Sequence, residues 1–538
     1  MDRRNFLVLS GAAAGLAACP RFSLLETTPT VGYPGMREGH LLRDRQSLPP
    51  PSGELATHVA ILGSGVAGLS AAWKLAKEGF REFVVLSGPE FGGNASAGHF
   101  DELAYPRGAH YLPLPSMESV HVREMLFDFG VILEDAMGPK PYFDETCIVH
   151  APDERLYFRD RWLDGLLPTD GIDPPEAAQH TRFLQHMEAL KKARGSDGKK
   201  AFAIPLELSS ADEQWLALDR MPFRQWLNDN GYTSPTLHWY LNYCCRDDYG
   251  AEHDKVSAWA GLHFFASRAG QARNASEGAV LTWPDGLNPL VRRLSDGVAK
   301  RHGGPWRHSG FAVSAEEKSS GVEILCADHS SAGLRTFLIK AQRAILAMPL
   351  FVAAHVVRGI EGYGFDRAVH LPSHAPWLVS NFLMDGFPAE NDGVPLAWDN
   401  VVYSGKGLGY VVSTHQDIRV ARPPRTVFSA YQALSRRSPT EARQWLVKAS
   451  AQELYEEGAC DLSEVYGLRL WEHTRALDIT VRGHAMASPL TGFLSNKGLA
   501  ALRHADGRML FAHSDLSGLS LFEEASWWGY RAAQRILA

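Results

Sequence analysis

The stretch from Thr57 to Gly93 constrains this chain more than any other. Val59 to Leu62 are consecutive apolar residues, followed at once by Gly63-x-Gly65-x-x-Gly68. Beyond the glycines the apolar spacing is helical as far as Glu78, Gly79 supplies a stop, and Phe83 to Leu86 reads as a second strand. A strand, a glycine turn, a helix and a strand in register form a β-α-β unit suited to a dinucleotide. Gly63 permits the tight turn, Gly65 lets a pyrophosphate approach the backbone, and Gly68 lets the helix pack close to the sheet. Val66 and Ala67 begin that helix, whose free N–H groups and positive dipole end face the phosphates. The end of the second strand usually carries a carboxylate for the ribose hydroxyls. Here it carries Ser87, which offers a hydrogen bond without the charge. No arginine follows before Arg107 to hold the extra phosphate of NADP.

Composition narrows the class of molecule. With 538 residues, 45% hydrophobic and 21% charged, the chain matches ordinary globular proteins and has room for a sizeable core. A net charge of −7 without a long basic run gives no support for nucleic-acid binding. Six cysteines without Cys-x-x-Cys or Cys/His ligand spacing point to neither a disulfide framework nor a metal site. The N-terminus has the layout of an export signal: Arg3-Arg4, then Asn5-Phe6-Leu7, an apolar run to Ala18 and small residues at the exit. The run from Leu7 is far shorter than the roughly 20 apolar residues a spanning helix needs. The paired arginines resemble the twin-arginine signal, which carries folded proteins across the bacterial inner membrane to the periplasm. Leu16-Ala17-Ala18-Cys19 resembles a lipobox, which would attach a lipidated Cys19 to the membrane; plain cleavage near the alanines fits equally, and Pro20 is atypical of a lipobox. Residues 20–54 then read as a tether.

Three further segments carry a resemblance. Gly92-Gly93 follows the second strand and is itself followed by Tyr105-Pro106-Arg107-Gly108-Ala109-His110-Tyr111. Near the C-terminus, Met509 to Ala512 reads as a strand, with Asp515 after it and Glu523-Glu524-Ala525 opening a helix that contains Gly529. Between them lie Leu281 to Leu290 and the strand Arg343 to Pro349. These segments resemble the flavin-containing amine oxidase superfamily, which includes monoamine and polyamine oxidases, protoporphyrinogen oxidase and phytoene desaturase. The resemblance implies FAD as cofactor, with Gly92 and Gly93 closing its loop and Gly108, Ala109 and His110 against the isoalloxazine. It also implies a Val313 backbone contact to adenine, Asp515 at the ribityl or pyrophosphate region, and the start of the last helix, Glu523 to Ser526, at the pyrimidine. The implied fold is α/β: a Rossmann-type FAD-binding domain, discontinuous in sequence (55–112, 278–349 and 481–538), interleaved with an α+β substrate domain (113–277 and 350–480).

Departures from the family limit what can be carried over. Asn94 stands where an arginine usually follows the glycine pair, and Leu521 where many amine oxidases place an aromatic cage residue. Between Ala341 and Val447 the only lysine is Lys406, in a glycine-rich turn, so rapid use of oxygen is not expected and another electron acceptor is. Arg482-Gly483-His484 more closely resembles the protoporphyrinogen oxidase and desaturase branch. His484, His513 and His110 are candidate proton acceptors, because imidazole titrates near neutrality. In Cys244-Cys245-Arg246-Asp247-Asp248 the cysteines read as buried thiols; the charged triplet fits a polar-substrate site or a structural ion cluster. The expected activity is hydride transfer from an amine-like, polyamine-type small-molecule substrate to FAD. Two rivals stand beside it: a desaturase- or isomerase-like flavoprotein acting on a hydrophobic substrate, and an exported FAD-containing binding protein without turnover.

Overall fold

The computed structural model describes residues 28–43, 48–330, 333–390 and 393–538. The export signal and Cys19 lie outside the described residues. The glycine motif sits where its spacing places it, between the strand Glu54–Leu62 and the helix Val66–Lys77, with Phe83–Leu86 as the next strand. Val59, Ala60, Ile61 and Leu62 are all buried, as a strand covered on both faces requires.

The sheet around this motif is assembled from remote parts of the chain. Arg307–His308, Phe83–Leu86, Glu54–Leu62 and Gly333–Leu346 run parallel in that order, and Met509–Phe511 joins the far side of Gly333–Leu346. The first half of Gly333–Leu346 continues into an antiparallel meander with Gly321–Ser330 and Phe311–Lys318. The nucleotide domain is therefore discontinuous. Its closure is a helix-on-helix contact, Phe522–Leu537 against Val66–Lys77, where Ser70 Oγ donates to Ser526 Oγ at 3.2 Å. A Cβ on Gly529 would stand 2.0 Å from the Ala67 carbonyl oxygen, so only glycine permits this approach.

A second, mixed sheet has eight strands in the order Thr30–Gly32, Thr474–Ala487, His374–Asp385, Arg425–Ala433, Tyr410–Val412, Asp399–Val402, Glu154–Phe158 and Arg161–Asp164. One face, with Leu378, Phe382, Tyr410 and Phe428, is covered by a helical layer that supplies Leu446, Leu454 and Leu462. The other face, with Leu156, Trp377, Val379, Val401 and Tyr431, meets Tyr243 and Cys244 of the helix Pro235–Tyr249.

The start of each substrate-domain segment differs from the sequence reading, since Val122, Leu126, Ile132, Phe143, Leu350 and Ile360 pack in the core of the nucleotide sheet, and two further boundaries differ. Residues 20–54 are not simply a tether: Thr30–Gly32 pairs in parallel with Asp478–Thr480, and Met36–Arg43 is a helix. Val31 and Tyr33 pack on the second sheet's core while Leu42 is buried in the first, which anchors the segment. The second correction concerns 481–538. The strand Thr474–Ala487 pairs along His374–Asp385 and so belongs to the substrate sheet; the nucleotide domain resumes beyond it. The described cysteines, Cys147, Cys244, Cys245, Cys326 and Cys460, are all free thiols. No helix among the described residues is long and apolar enough to cross a membrane.

The Gly529 contact yields a direct expectation. Gly529→Ala forces the last helix off the nucleotide helix and costs on the order of 1–3 kcal/mol, read as a lower melting temperature beside an Ala532→Gly control that opens space instead.

Candidate functional site

A cavity of about 740 Å³ lies at the carboxyl ends of the parallel strands. Its walls are the residues that follow those strands: Gly63 to Ala67, Ser87 to Glu90, Ala347 to Pro349, and His513 to Asp515. This is where an open α/β sheet binds its ligand. Asn94, Ala109, Val481 to Ala485, Ser520 to Phe522 and Ala525 complete it.

The glycines divide into two roles. A Cβ on Gly63 would stand 2.5 Å from the Ala347 carbonyl oxygen, and one on Gly68 would stand 2.0 Å from the Gly63 carbonyl oxygen. Both are required by the fold. Gly65 has ordinary extended angles, φ −72° and ψ −178°, and a Cβ there would meet nothing within 4 Å. Its missing side chain leaves space in the cavity. The helix that follows has no side-chain cap and no acid in its first turn, so Val66 and Ala67 present an uncompensated positive end. These are the properties of a phosphate cradle, and the Gly92-Gly93 pair closes against it through a bridge between Gly65 and Gly92.

Two cross-links join this loop to the substrate sheet. Arg482 Nη1 meets Glu90 Oε2 at 2.9 Å, and Asn94 Nδ2 donates to the Ala485 carbonyl at 2.7 Å. Asn94, in place of the usual arginine, therefore serves as a strut between domains. Ser87 lines the cavity, and its carbonyl accepts from Ser64 Oγ.

The expected site residues fall into distinct places. His484 and His513 line the cavity, whereas His110 lies behind Ala109, its ring 4.5 Å from that of Tyr431 and 5.6 Å from that of Trp398. Burial pushes the His110 imidazole down to about 3, which removes it as a useful base at neutral pH. His484 stacks on Phe351 at 4.4 Å; enclosure, with Arg443 and His374 nearby, pushes it down to about 4. Asp515 lines the cavity and is also engaged by the protein. Its Oδ2 accepts from Leu350 N at 2.8 Å and meets His374 Nε2 at 3.0 Å, and Oδ1 lies 3.3 Å from His513 Nδ1. Burial alone would raise the Asp515 carboxyl, but His513 and His374 hold it well below the usual range.

At the last helix, Leu521, Phe522 and Ala525 face the cavity while Glu523 and Glu524 turn away from it. Glu524 accepts from Leu206 N and Ser517 Oγ, so it holds the helix to the substrate domain. The Glu523 carbonyl is hydrogen-bonded to His121 Nε2. Val313 is buried in its strand, and the neighbouring Phe311 and Ala312 reach the cavity. Gly108 backs the Asn94 turn, and its carbonyl accepts from the Tyr431 hydroxyl at 3.1 Å. His374, Phe351 and the segment Tyr33 to Leu42 also line the site and were not foreseen. None carries a motif: His374 arrives on the strand His374–Asp385, Phe351 on the helix Leu350–Val356, and Tyr33 to Leu42 on the turn and helix that follow Thr30–Gly32.

Comparison with known proteins agrees with this geometry. Residues 61–129 match the family profile of an NAD(P)-binding Rossmann-like domain. No curated protein matches the chain by sequence. Among solved structures, a wild-type putrescine oxidase bound to putrescine superposes with a TM-score of 0.63 at 15% identity, covering 90% of this chain and 99% of that one. Cyclohexylamine oxidase from Brevibacterium oxydans IH-35A gives 0.58 at 15% identity over 89% and 98%. A CLA-producing fatty acid isomerase from P. acnes gives 0.58 at 16% identity over 90% and 99%. The fold is that of this group: a Rossmann-like domain interleaved with a second, mixed sheet.

Two expectations follow. Gly65→Ala leaves the melting temperature of the cofactor-free chain within about 0.5 kcal/mol of wild type but lowers bound dinucleotide at least tenfold, whereas Gly68→Ala loses both; flavin absorbance per folded chain separates them. The second concerns pH. Burial pushes the Glu524 carboxyl up to about 7, against roughly 4.3 in an unfolded chain. The folded state therefore favours the neutral acid, and stability falls as pH rises from about 4.3 to 7. Glu524→Gln flattens that decline by up to about 3 kcal/mol, measured by denaturant titration at pH 5 and pH 8.

Proposed function

We propose that this chain is an exported FAD-dependent oxidoreductase that takes hydride from an amine-like substrate. The observation that carries the reading is the continuity of the cavity. One space touches the glycine loop, the helix N-terminus, the Asn94–Ala109 turn and the strand segment Val481 to Ala485, and its volume lies within the roughly 300–1,000 Å³ of ligand pockets. The residues fit FAD: an uncapped helix end and an open Gly65 for the pyrophosphate, Phe311 and Ala312 with Ser87 for the adenosine, and Ala109, His484 and Leu521 around the ring system. When bound, FAD supplies a hydride acceptor at N5.

The chain's own contribution is orientation and exclusion of water. Glu90–Arg482 and Asn94–Ala485 fix the wall that both domains share. His484, neutral above about pH 5 because its imidazole is pushed down to about 4, offers a hydrogen bond without a competing charge. The putrescine and cyclohexylamine oxidases of the same fold support amine oxidation as the reaction class. No lysine is among the cavity residues, and Lys406 is exposed on the surface, which supports an electron acceptor other than oxygen. Arg3-Arg4 and the short apolar run support twin-arginine export to the periplasm, a route suited to a chain that loads its cofactor while folding. Cys19 then either anchors the mature protein through a lipid or is left near a cleavage site.

A second reading has its own support. The P. acnes fatty acid isomerase shares the fold, and Leu521 makes the cavity wall aliphatic where an amine cage would be aromatic. Anaerobic mixing of the purified protein with amines and with unsaturated fatty acids decides between them. Bleaching of the flavin band by amines is the expected result; lipid isomerisation without net bleaching would establish the second reading, and a colourless protein would refute both.

A further inference from the structure

The glycine motif of this chain lacks one part, and the cavity holds a replacement for it. In a dinucleotide fold of this kind the pyrophosphate sits at the helix N-terminus, and a carboxylate at the end of the second strand accepts the ribose hydroxyls. That strand, Phe83–Leu86, ends in Ser87, which brings a hydroxyl and no charge. Among the described residues three acids line the cavity: Glu38, Glu90 and Asp515. Glu90 is paired with Arg482 at 2.9 Å, and Asp515 is held by His374 and His513. Glu38 is different. Its one ionic neighbour among the described residues is His329, whose Nε2 lies 4.0 Å from Glu38 Oε1, beyond hydrogen-bond distance. Both ring nitrogens of His329 are themselves buried and, among the described residues, without a hydrogen-bond partner.

Two contacts place Glu38 at the ribose end of the cavity. On one side, Gly35 lies against the loop that follows the second strand: its φ is +74°, and a Cβ there would stand 3.4 Å from Pro89 Cγ. Gly39 N donates to the Gly35 carbonyl at 2.8 Å, so Glu38 belongs to the helical turn that starts at this contact. On the other side, Ser87 N and Gly88 N donate to the carbonyls of His308 and Gly310. The next residue, Phe311, lines the cavity, and its ring lies 6.0 Å from that of His329, the neighbour of Glu38. The segment that carries Glu38 is anchored in both domains. Val31 and Tyr33 pack on the core of the second sheet, Leu41 and Leu42 pack in the core of the first, and residues from Tyr33 to Leu42 line the cavity between them.

We infer that this segment is a clasp over the adenosine half of FAD, and that Glu38 accepts the ribose hydroxyls, supplying from a helix outside the glycine motif the charge that Ser87 lacks. The assignment concerns the cofactor alone and holds whichever substrate is oxidised. A carboxylate suits a ribose diol because its two oxygens accept from both hydroxyls at once, and bonds to a charged acceptor are the stronger ones. His329 stands too far away to occupy those oxygens, so they are kept for a ligand. A clasp already anchored at both ends also has less conformational freedom to lose when the cofactor arrives.

The test uses the full-length protein, freed of flavin and titrated with ADP and with 2′,3′-dideoxy-ADP, in wild type, Glu38→Gln and the double variant Glu38→Gln/Ser87→Glu. Wild type should prefer ADP at least tenfold. Glu38→Gln should weaken ADP at least tenfold and the dideoxy probe less than twofold, and Ser87→Glu, by returning a carboxylate to the strand end, should recover ADP binding in that background. FAD should follow ADP, whereas FMN, which has no adenosine, should bind Glu38→Gln as it binds wild type. The unliganded Glu38→Gln protein should melt at the wild-type temperature, because no hydrogen bond is lost. Equal weakening of both probes together with a lower melting temperature would make Glu38 a support of the segment and overturn the assignment. Equal affinity of wild type for the two probes, or a loss of ADP affinity below threefold in Glu38→Gln, overturns it as well. If FAD binds wild type and Glu38→Gln alike, the clasp falls and the flavoprotein reading stands; if FAD binds neither, both fall.

Discussion

Everything in this molecule depends on three backbone segments coming closer than side chains would allow. Gly63 packs on the Ala347 carbonyl, Gly68 on Gly63 and Gly529 on Ala67, each with a would-be Cβ 2.0–2.5 Å from an oxygen. These contacts bring residues from the beginning, middle and end of the chain into one parallel sheet. The cavity exists because the ends of those strands are then neighbours. A continuous domain could place the glycine loop, but it could not put Asp515 and Ala525 beside it without the last helix docking on the first.

The second sheet uses the same economy of position. Its strand Thr474–Ala487 is a substrate-domain strand by pairing and a cavity wall by its final residues. The Glu90–Arg482 ion pair and the Asn94–Ala485 hydrogen bond cross that seam. Arg482 is nearly buried, so its pairing with Glu90 is shielded from the solvent screening that weakens surface pairs. Breaking it would strand a charge rather than merely lose a contact. The relative placement of cofactor and substrate walls is therefore set by a few polar struts over apolar cores that belong to separate domains.

How much of this could be read in advance follows from the range of each signal. The β-α-β unit is local, and its strands and helix lie where residues 57–93 place them. Asp515 and Ala525 were legible as positions because a strand-to-helix motif carries them. The partners of Asp515 were not, since His374 reaches it from a remote strand. The N-terminal segment was misread because Thr30–Gly32 is short and gains its structure from the edge of Thr474–Ala487, a partner more than 400 residues away. His110 was correctly placed in sequence beside Ala109, yet one residue in a turn reverses which wall a ring joins. Pairing register and turn direction are tertiary facts, and residue types alone do not encode them locally.

The buried acids raise a different question, that of cost. A carboxylate removed from water without a partner either takes up a proton or waits for a cation. Glu524 meets its cost with hydrogen bonds from Leu206 and Ser517, and Asp515 meets its cost with two histidines. Asp515 is thereby held in its charged form, whereas Glu524 is still pushed up to about 7. Asp399 and Glu154 are each reached by a single backbone N–H, of Asn400 and of Leu166, and burial raises both carboxyls. At these inward-facing strand positions the desolvation penalty is met by a shift toward the protonated acid, not by a counter-charge.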